Sequence, residues 1–175
     1  LESMSRTFGL NVVLIRMANQ FGPFQHKEKM IPFSIYRLLN GETIKVYGDG
    51  KNCRQWTFVE DTVKIIADII DWTGCVNPFV DETKKLQVIH LAVQRNLFNN
   101  NTIAKKLVNA VVEIPPGPFP APSWVNRHIE YIKDRPGHDM MYCLAVDSLV
   151  QRYYKTSFED AIAKTVDYYK ELYGA

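Results

Sequence analysis

Two continuous apolar runs, residues 11–16 and 87–92, interrupt the mixed pattern of hydrophobic and polar positions. Runs of this kind are typical of strands buried on both faces of a parallel sheet. Residues 43–47 alternate between apolar and polar positions as a short strand does, and residues 128–132 predict another. The pattern therefore predicts several short strands, two of them fully buried.

Amphipathic segments between these strands predict helices. They cover residues 1–8, 33–40, 61–72 and 102–111, and a last helix opens at a capping box formed by residues 156–159. The predicted apolar faces are Val63, Ile66, Ile69 and Ile70 in the third helix, Ile103, Leu107 and Val111 in the fourth, and Phe158, Ile162, Val166 and Tyr169 in the last. Asn40-Gly41 is expected to end the second helix, and residues 100–102 to cap the fourth. Because strands alternate with helices, the predicted fold class is α/β.

The remaining segments are predicted loops. Residues 19–25 contain a Gly-Pro pair, and residues 74–85 are polar with an Asn-Pro pair. Residues 115–122 hold five prolines, which exclude a helix or a central strand and predict an extended surface insertion. Residues 1–8 are expected to be the last two turns of a helix already under way, so the chain is expected to begin within a larger structure.

Composition narrows the classes of protein. The chain has 175 residues, enough for one domain with a sizeable core, and 46% of them are hydrophobic, an ordinary value for a soluble globular protein. A net charge of +2 with no basic stripe argues against a nucleic-acid partner, and the apolar runs are far short of the roughly 20 residues of a membrane span. Cys53, Cys75 and Cys143 are widely separated and match neither a disulfide framework nor metal-ligand spacing. A reducing cytoplasm and no metal site are therefore expected.

Arg54 lies in the stretch on which the candidate chemistry centres, residues 47–61. The stretch is predicted as a strand end, a turn with Gly48 and Gly50, an arginine near aromatic residues, and the start of a helix. A guanidinium matches the geometry of phosphate oxygens, so Arg54 is a candidate ligand of a diphosphate. The alternative is a surface salt bridge.

Other candidates are weaker one by one. Arg135 and His138 flank a rigid Pro-Gly turn that could aim both side chains one way, or the turn could simply be solvated. Lys29 is a possible third cation, although a charge run is usually a solvated face. Tyr47 could stack on a base or sugar or pack in the core. His90 ends an apolar strand, where a histidine is more often a rim or core residue than a ligand.

Two familiar catalytic patterns are absent from the sequence. The glycines form neither a Gly-x-Gly-x-x-Gly fingerprint nor a Walker loop, which are the usual backbone cradles for phosphates. Tyr47 and Lys51 have the Tyr-x-x-x-Lys spacing, but Gly48 and Gly50 lie between them. Helix-interior glycines each cost about 1 kcal/mol, so this pair is predicted to lie in a turn and not to be catalytic.

Five motifs in a fixed order resemble the extended short-chain dehydrogenase/reductase family, the NAD-dependent epimerases and dehydratases, and within it the dTDP-glucose 4,6-dehydratases. They are R-M-A-N-Q-F-G-P-F-Q at 16–25, E-K-M-I-P at 28–32, Y-G-D-G at 47–50 with Arg54, Trp56 and V-E-D at 59–61, D-R-P-G-H-D at 134–139, and Ser157-Phe158 with Ile162, K-T-V at 164–166 and Tyr169. The resemblance spans nearly the whole chain. Its most specific element for the 4,6-dehydratases is D-R-P-G-H-D.

The resemblance implies a reaction and a place in the family's fold. NAD oxidises C4 of the glucose unit of dTDP-glucose, water leaves across C5 and C6, and the hydride returns to C6, giving dTDP-4-keto-6-deoxyglucose. The Rossmann glycines, the Tyr-x-x-x-Lys pair and the acid/base carboxylates belong to the family's N-terminal half. Residues 1–175 are therefore expected to be a single C-terminal segment without the NAD-binding half: the last part of a Rossmann-type parallel sheet, interleaved with the smaller nucleotide-sugar-binding α/β domain. The segment by itself is expected to be inactive and not to retain NAD, and the full-length enzyme to be a cytoplasmic homodimer.

Carried over position by position, the resemblance implies a set of binding residues and no catalytic residue in this chain. The predicted substrate-binding residues are Asn19, Lys29, Met30, Lys45, Tyr47, Arg54, His90, Asp134, Arg135 and His138, and the predicted cofactor-binding residue is Gln20, near the nicotinamide. The two arginines and the Asp134-to-His138 turn are expected to hold the diphosphate and nucleotide.

Departures from the family pattern leave alternatives open. Gln20 stands in place of Asn, His90-Leu91-Ala92-Val93 in place of N-I-G-G, and Met140-Met141 in place of two arginines. The alternatives are another nucleotide-sugar epimerase, dehydratase or decarboxylase of the same family, and a diverged, non-catalytic binding or assembly module.

Overall fold

The computed structural model describes residues 1–71, 79–81, 83–113 and 122–174. Its helices are α1 Glu2–Phe8, α2 Met30–Leu39, α3 Val59–Ile70, α4 Asn100–Val111, α5 Pro122–Asn126, α6 Ser148–Gln151 and α7 Phe158–Tyr173. Its strands are β1 Val12–Met17, β2 Asn19–Phe21, β3 Ile44–Tyr47, β4 Cys53–Phe58, β5 Leu86–Leu91, β6 Leu97–Asn99, β7 Ile129–Ile132 and β8 Met141–Tyr142. This mixed architecture confirms the predicted α/β class. Cys75, the expected helix end at Trp72, much of the predicted loop 74–85 and most of the proline-rich segment lie outside the described residues.

The two apolar runs form strands of a parallel sheet, as predicted, and the structure shows that they pair with each other. β1 and β5 run in register from Val12 opposite Leu86 to Met17 opposite Leu91. The expectation of burial on both faces was wrong for the described residues, because Val88 in the second run is 43% exposed and residues 12–15 of the first run are only half-buried. α3 and α6 cover one face, where Ile89 and Leu91 join a small core with Ile65 and Val150.

β4 is the strand on which most other pairings converge. Its second half pairs in parallel with β2, Asn19 lying opposite Trp56. Its first half pairs antiparallel with β6 and parallel with β8, so that Cys53 lies opposite both Asn99 and Met141. The prediction of a loop over residues 19–25 was therefore wrong at its start, where β2 forms, and β4 itself was not predicted. Residues 55–58 are all buried, so β4 shows no alternation that would mark it as a strand.

A larger core lies beside β4. α2, α4 and α7 pack together over β3, which pairs in parallel with β7 as Ile44 lies opposite Ile129. The predicted apolar faces of the fourth and last helices are confirmed: all of their predicted members are buried in this core. Ile31, Ile35 and Ile44 are fully buried there.

The apolar face predicted for α3 was partly wrong. Val63 and Ile70 are 57% and 78% exposed, whereas the neighbouring polar side chains of Asp61 and Thr62 are buried. Asp61 accepts hydrogen bonds from the backbone N–H and hydroxyl of Thr156, and the Thr62 hydroxyl lies 3.0 Å from that of Tyr154. Because these partners satisfy the polar groups, they can face inward, and the helix is rotated relative to the apolar pattern.

The helix starts differ from the predicted ones by one to three residues. α2 begins at Met30 and α3 at Val59. Asn99, not residues 100–102, caps α4 by accepting a hydrogen bond from the Thr102 backbone N–H. Ser157 caps α7 through the Asp160 N–H, since Thr156 is engaged by Asp61.

Candidate functional site

A cavity of about 640 Å³ opens where β4, the β3–β7 pair and the N-terminus of α2 meet. Its lining residues are Asn19, Gln20, Gln25, Glu28, Lys29, Met30, Phe33, Ser34, Lys45, Val46, Tyr47, Arg54, Trp56, Asn100, Ile132, Arg135 and His138. The structure thus brings together every predicted site residue except Asp134 and His90. Their placement around one cavity is consistent with a binding role, which itself stays a prediction.

The glycine turn between β3 and β4 sets the direction of both strands. Gly48 and Gly50 have φ of 60° and 70°, the left-handed region that favours glycine. A Cβ on Gly50 would lie 2.1 Å from Asn101 Oδ1, and the Asn101 amide donates to the carbonyl of Asp49 at 2.8 Å. The turn is therefore held against the start of α4 at a distance that only glycine allows.

Tyr47 and Lys51 lie on either side of this turn, as predicted, and not on a helix. Lys51 Nζ is 2.8 Å from Asp49 Oδ2, and this ion pair lowers the pKa of Asp49 and raises that of Lys51. Tyr47 lines the cavity, whereas Lys51 is not one of its lining residues. This geometry gives no support to a Tyr-Lys catalytic pair.

Arg54 is fixed by backbone carbonyls. Its Nη1 donates to the carbonyl of Cys53 at 2.7 Å and its Nη2 to that of Asp139 at 2.9 Å. Among the described residues, no carboxylate pairs with it. Two hydrogen bonds therefore orient the guanidinium at the cavity while its full positive charge remains available to an anion.

Asp134 supports the neighbouring wall from outside the cavity. Its Oδ1 accepts hydrogen bonds from His138 Nδ1 and from the Arg135 backbone N–H, each at 2.8 Å. The hydrogen bond from His138 is the main cause that lowers the pKa of the Asp134 carboxyl. Only 7% of the His138 side chain is exposed, and its ring meets that of Tyr47 edge-on at 6.5 Å. Arg135 and His138 thus both line the cavity, which is the first of the two alternatives that the sequence left open, and the carboxylate of Asp134 braces the turn from outside the lining.

The charge of the lining is strongly asymmetric. Lys29, Lys45, Arg54 and Arg135 line the cavity, and no ion pair engages any of them among the described residues. Glu28 is the lining carboxylate. Lys29 is also the N-cap of α2, whose first turn has no acidic residue, so the positive end of the helix dipole adds to the same field. The cavity is therefore suited to a ligand with more than one negative charge.

His90 lies elsewhere. It pairs with Arg16 in the β1–β5 sheet, and its Nδ1 is 3.1 Å from the carbonyl oxygen of Ala145. The structure does not place it in the cavity, because β5 belongs to a different sheet from β4. A nucleotide role for His90 gains no support from this geometry.

Sequence reasoning missed several lining residues, of which Gln25 and Trp56 matter most because each carries a buried polar atom without a partner. A signal for Trp56 existed: it is two residues from Arg54, and residues i and i+2 of a strand share a face. Because β4 was not predicted as a strand, the spacing did not identify Trp56 as a residue on the same face as Arg54. Gln25 gave no comparable local signal.

Among the described residues, no helix combines the length and the apolar composition that crossing a bilayer requires. Nor do they bring three or more potential metal ligands together.

The fold and site define an α/β protein with a positively charged ligand cavity. Comparison with known proteins shows which family and which enzymes the chain is similar to. Residues 1–73 match the NAD dependent epimerase/dehydratase family. The chain is 34% identical over 172 residues to the low-salt glycan biosynthesis protein Agl12 of Haloferax volcanii, covering 96% of this chain and 48% of that protein. It is 31% identical to a dTDP-glucose 4,6-dehydratase of Neisseria meningitidis, covering 94% and 44%.

A solved structure agrees. The dTDP-glucose 4,6-dehydratase DesIV of Streptomyces venezuelae, with NAD and TDP bound, superposes with a TM-score of 0.74 at 29% identity, over 98% of this chain and 48% of that one. Over residues 1–73, less than half of its length, the chain is similar to the NAD dependent epimerase/dehydratase family. It spans about half the length of the relatives it matches.

Proposed function

We propose that this chain forms the nucleotide-sugar-binding part of an NAD-dependent dTDP-glucose 4,6-dehydratase-like enzyme, which converts dTDP-glucose to dTDP-4-keto-6-deoxyglucose and water. One observation carries the proposal: four cations, none of which pairs with a carboxylate among the described residues, and the N-terminus of α2 converge on one cavity. A nucleoside diphosphate supplies the matching negative charge. The relatives named dTDP-glucose 4,6-dehydratases support the choice of dTDP-glucose.

The roles follow from position. Arg54 and Arg135, with Lys29, bind the diphosphate, because guanidinium and ammonium groups pair with phosphate oxygens. Lys45, Tyr47 and Met30 lie along the nucleotide. The remaining predicted binding residues contribute as follows: Asn19 contacts the sugar, His138 donates a hydrogen bond, and Asp134 holds His138, whereas His90 lies outside the cavity and is given no binding role.

NAD fits this chain poorly by itself. Gln20 is the predicted cofactor contact, but its amide nitrogen is already bonded to the carbonyl of Ala18 and the hydroxyl of Thr57, so only Oε1 is left to accept a hydrogen bond. The 175 residues also contain no Gly-x-Gly-x-x-Gly cradle. We therefore propose that residues 1–175 neither hold NAD tightly nor carry out the reaction unaided. Turnover of dTDP-glucose by the purified 175-residue chain would contradict this.

The departures from the family pattern mostly avoid the cavity. Of Gln20, His90 and Met140-Met141, only Gln20 is a lining residue. Met140 and Met141 are exposed, at the start of β8. This favours a dehydratase-like enzyme over a diverged binding module, and leaves other nucleotide-sugar enzymes of the family as the second candidate.

We extend the proposal to a cytoplasmic homodimer. Sedimentation of the natural protein tests whether it is a dimer.

The proposal is tested by calorimetric titration with dTDP-glucose. Arg54→Ala is expected to weaken binding by about 1.5–3 kcal/mol, the range for a hydrogen bond to a charged group. Arg95→Ala is the matched control, since the Arg95 guanidinium also donates to backbone carbonyls, those of Tyr154 and Thr156, but lies outside the cavity lining. Equal affinities of the wild type and Arg54→Ala would refute the arginine's role, and tighter binding of UDP-glucose would favour the second candidate.

A further inference from the structure

One wall of the cavity is polar but uncharged. Gln20 Oε1, Gln25 Oε1 and the indole Nε1 of Trp56 are buried, and none of these three atoms has a hydrogen-bond partner among the described residues. All three residues line the cavity, and Trp56 is only 5% exposed. The wall thus offers one donor and two acceptors.

The hydrogen bonds of the two glutamine amide nitrogens determine the orientation of both glutamine side chains. Gln25 Nε2 donates to the carbonyl of Gln20 at 2.8 Å, and Gln20 Nε2 donates to the carbonyl of Ala18 at 3.1 Å and to the hydroxyl of Thr57 at 2.5 Å. Since both amide nitrogens are engaged inside the protein, both carbonyl oxygens are left over. Trp56 Nε1 can only donate.

The backbone beneath this wall is also anchored. The Tyr169 hydroxyl on α7 donates to the backbone carbonyl of Gln25 at 2.5 Å. The edge of the Trp56 ring meets Phe21 at 6.3 Å, and Asn19 lies directly opposite Trp56 across the β2–β4 pair. The two glutamine side chains are half-buried, and both residues line the cavity.

The chemistry of the wall selects its ligand. Buried donors and acceptors are normally paired, and leaving them unpaired costs free energy. A phosphate, which is ionised, has no donor to offer the two carbonyl oxygens. A hydroxyl group both donates and accepts, so neighbouring hydroxyls of a sugar satisfy all three atoms.

The wall also lies at a suitable place relative to the cations. Arg54 and Trp56 are two residues apart on β4 and share a face, so their Cα atoms are about 7 Å apart. A ligand whose diphosphate meets Arg54 would therefore carry its attached ring to Trp56 and the glutamines.

We propose that Gln20, Gln25 and Trp56 form a hydroxyl-binding subsite that recognises the sugar ring of the nucleotide-sugar. The inference rests on the proposed function, which supplies the diphosphate contact at Arg54. Trp56 and Gln25 are then specificity-determining residues: they distinguish a diphosphate that carries a sugar from one that does not.

The test compares calorimetric titrations of dTDP-glucose and of TDP, which lacks the sugar. Trp56→Phe removes the indole donor and keeps an aromatic ring; it is expected to weaken dTDP-glucose binding about 3- to 10-fold, the effect of one neutral hydrogen bond, while TDP affinity changes less than about 2-fold. Gln25→Met is expected to do the same and guards against misfolding of the tryptophan variant. Trp124→Phe is the matched control, because Trp124 packs against the same core without lining the cavity.

The outcomes separate the two proposals. Equal losses of both ligands in Trp56→Phe, or no loss of either, overturn the subsite and leave the diphosphate site intact. A wild-type chain that binds TDP as tightly as dTDP-glucose overturns the subsite as well. If the wild type binds neither ligand, the proposed function fails, and the subsite with it.

Discussion

The two cores of the molecule are incomplete in opposite ways. In the paired-strand region, made of α1, β1, α3, β5 and α6, apolar surface is left uncovered by the described residues; Phe8, Val63 and Ile70 are each more than half exposed. In the cavity region, made of β2 to β4, β6 to β8, α2, α4 and α7, the apolar core is larger and includes fully buried side chains from α2, α4 and α7, but polar atoms in the cavity wall lack partners among the described residues.

This difference indicates what kind of contact would stabilise each region. Uncovered apolar surface is stabilised by burial against another apolar surface, whereas an unpaired buried donor or acceptor is stabilised by a ligand that forms the hydrogen bond. The paired-strand region is thus incomplete as a packing unit, and the cavity region is incomplete as a binding site.

The largest expected difference comes from truncating one isoleucine side chain to alanine in each region. Ile35 on α2 is fully buried in the cavity region, and Ile70 on α3 is 78% exposed in the paired-strand region. Ile35→Ala is expected to lower the free energy of unfolding by about 2–5 kcal/mol, because it leaves a cavity in a closed core. Ile70→Ala is expected to change it by less than about 0.5 kcal/mol. Urea denaturation of both variants measures the contrast, and a comparable loss in Ile70→Ala would show that its surface is covered in solution.

A smaller effect is expected at alkaline pH in the paired-strand region. Burial is the main cause that raises the pKa of Tyr154 from 10.0 to about 12. Between these values the unfolded chain ionises at this tyrosine while the folded protein does not, so stability falls by up to about 2–3 kcal/mol as pH rises from 10 to 12. Tyr154→Phe is expected to reduce this decline, although it loses the hydrogen bond to Thr62 at all pH values.

The measurement is the urea midpoint of the wild type and Tyr154→Phe at several pH values above 9. Tyr169 is the corresponding tyrosine of the cavity region, because burial raises its pKa to about 12 as well, and the contribution of Tyr154 is compared with it. Identical slopes for the wild type and Tyr154→Phe would contradict the assignment.

The smallest effect is expected at Asp134. Its folded-state pKa is lowered below 3.8, mainly by the hydrogen bond from His138, so its contribution to stability is present above that pH and is lost as the pH falls through the folded value. Asp134→Asn is therefore expected to lower the melting temperature slightly at pH 6 and not at all well below pH 3.8.

Asp81→Asn is the matched control for that variant. The pKa of Asp81 is also lowered, chiefly by the Thr83 hydroxyl, but Asp81 lines a different cavity. Both variants are expected to lose their effect in acid, whereas only Asp134→Asn weakens dTDP-glucose binding. A binding defect in both would show that Asp134 has no special role in holding His138.

The sequence predicted the fold best where local pattern and burial coincide. The faces of α4 and α7 follow from apolar spacing, and the two apolar runs predicted β1 and β5 as strands of a parallel sheet. β4 was missed because both of its faces are covered, and α3 was rotated because Asp61 and Thr62 find buried partners almost a hundred residues away. Such partners are invisible in a local pattern.

The sequence predicted the cations of the candidate site but not the arrangement of the cavity wall around them. Arg54 and Arg135 gave ambiguous local signals, and only the order of the family motifs joined them; the structure then placed both at one cavity. The neutral wall could not have been predicted, because the free oxygens of Gln20 and Gln25 are defined by hydrogen bonds to Ala18, Thr57 and Gln20 itself.

The position of β4 between distant partners has a consequence for the order of folding. Arg54 and the carbonyl of Asp139 that anchors it are 85 positions apart in sequence, and Asn52 is 87 positions from the same residue. Contacts of such long sequence separation form slowly, because a long loop must be closed before they contribute any stability. On the ribosome the helices α2 and α3 can form while Arg54 still lacks its hydrogen bond to Asp139. The anion site is therefore expected to be among the last parts of the molecule to form, because it needs residues that are synthesised after most of β4's neighbours.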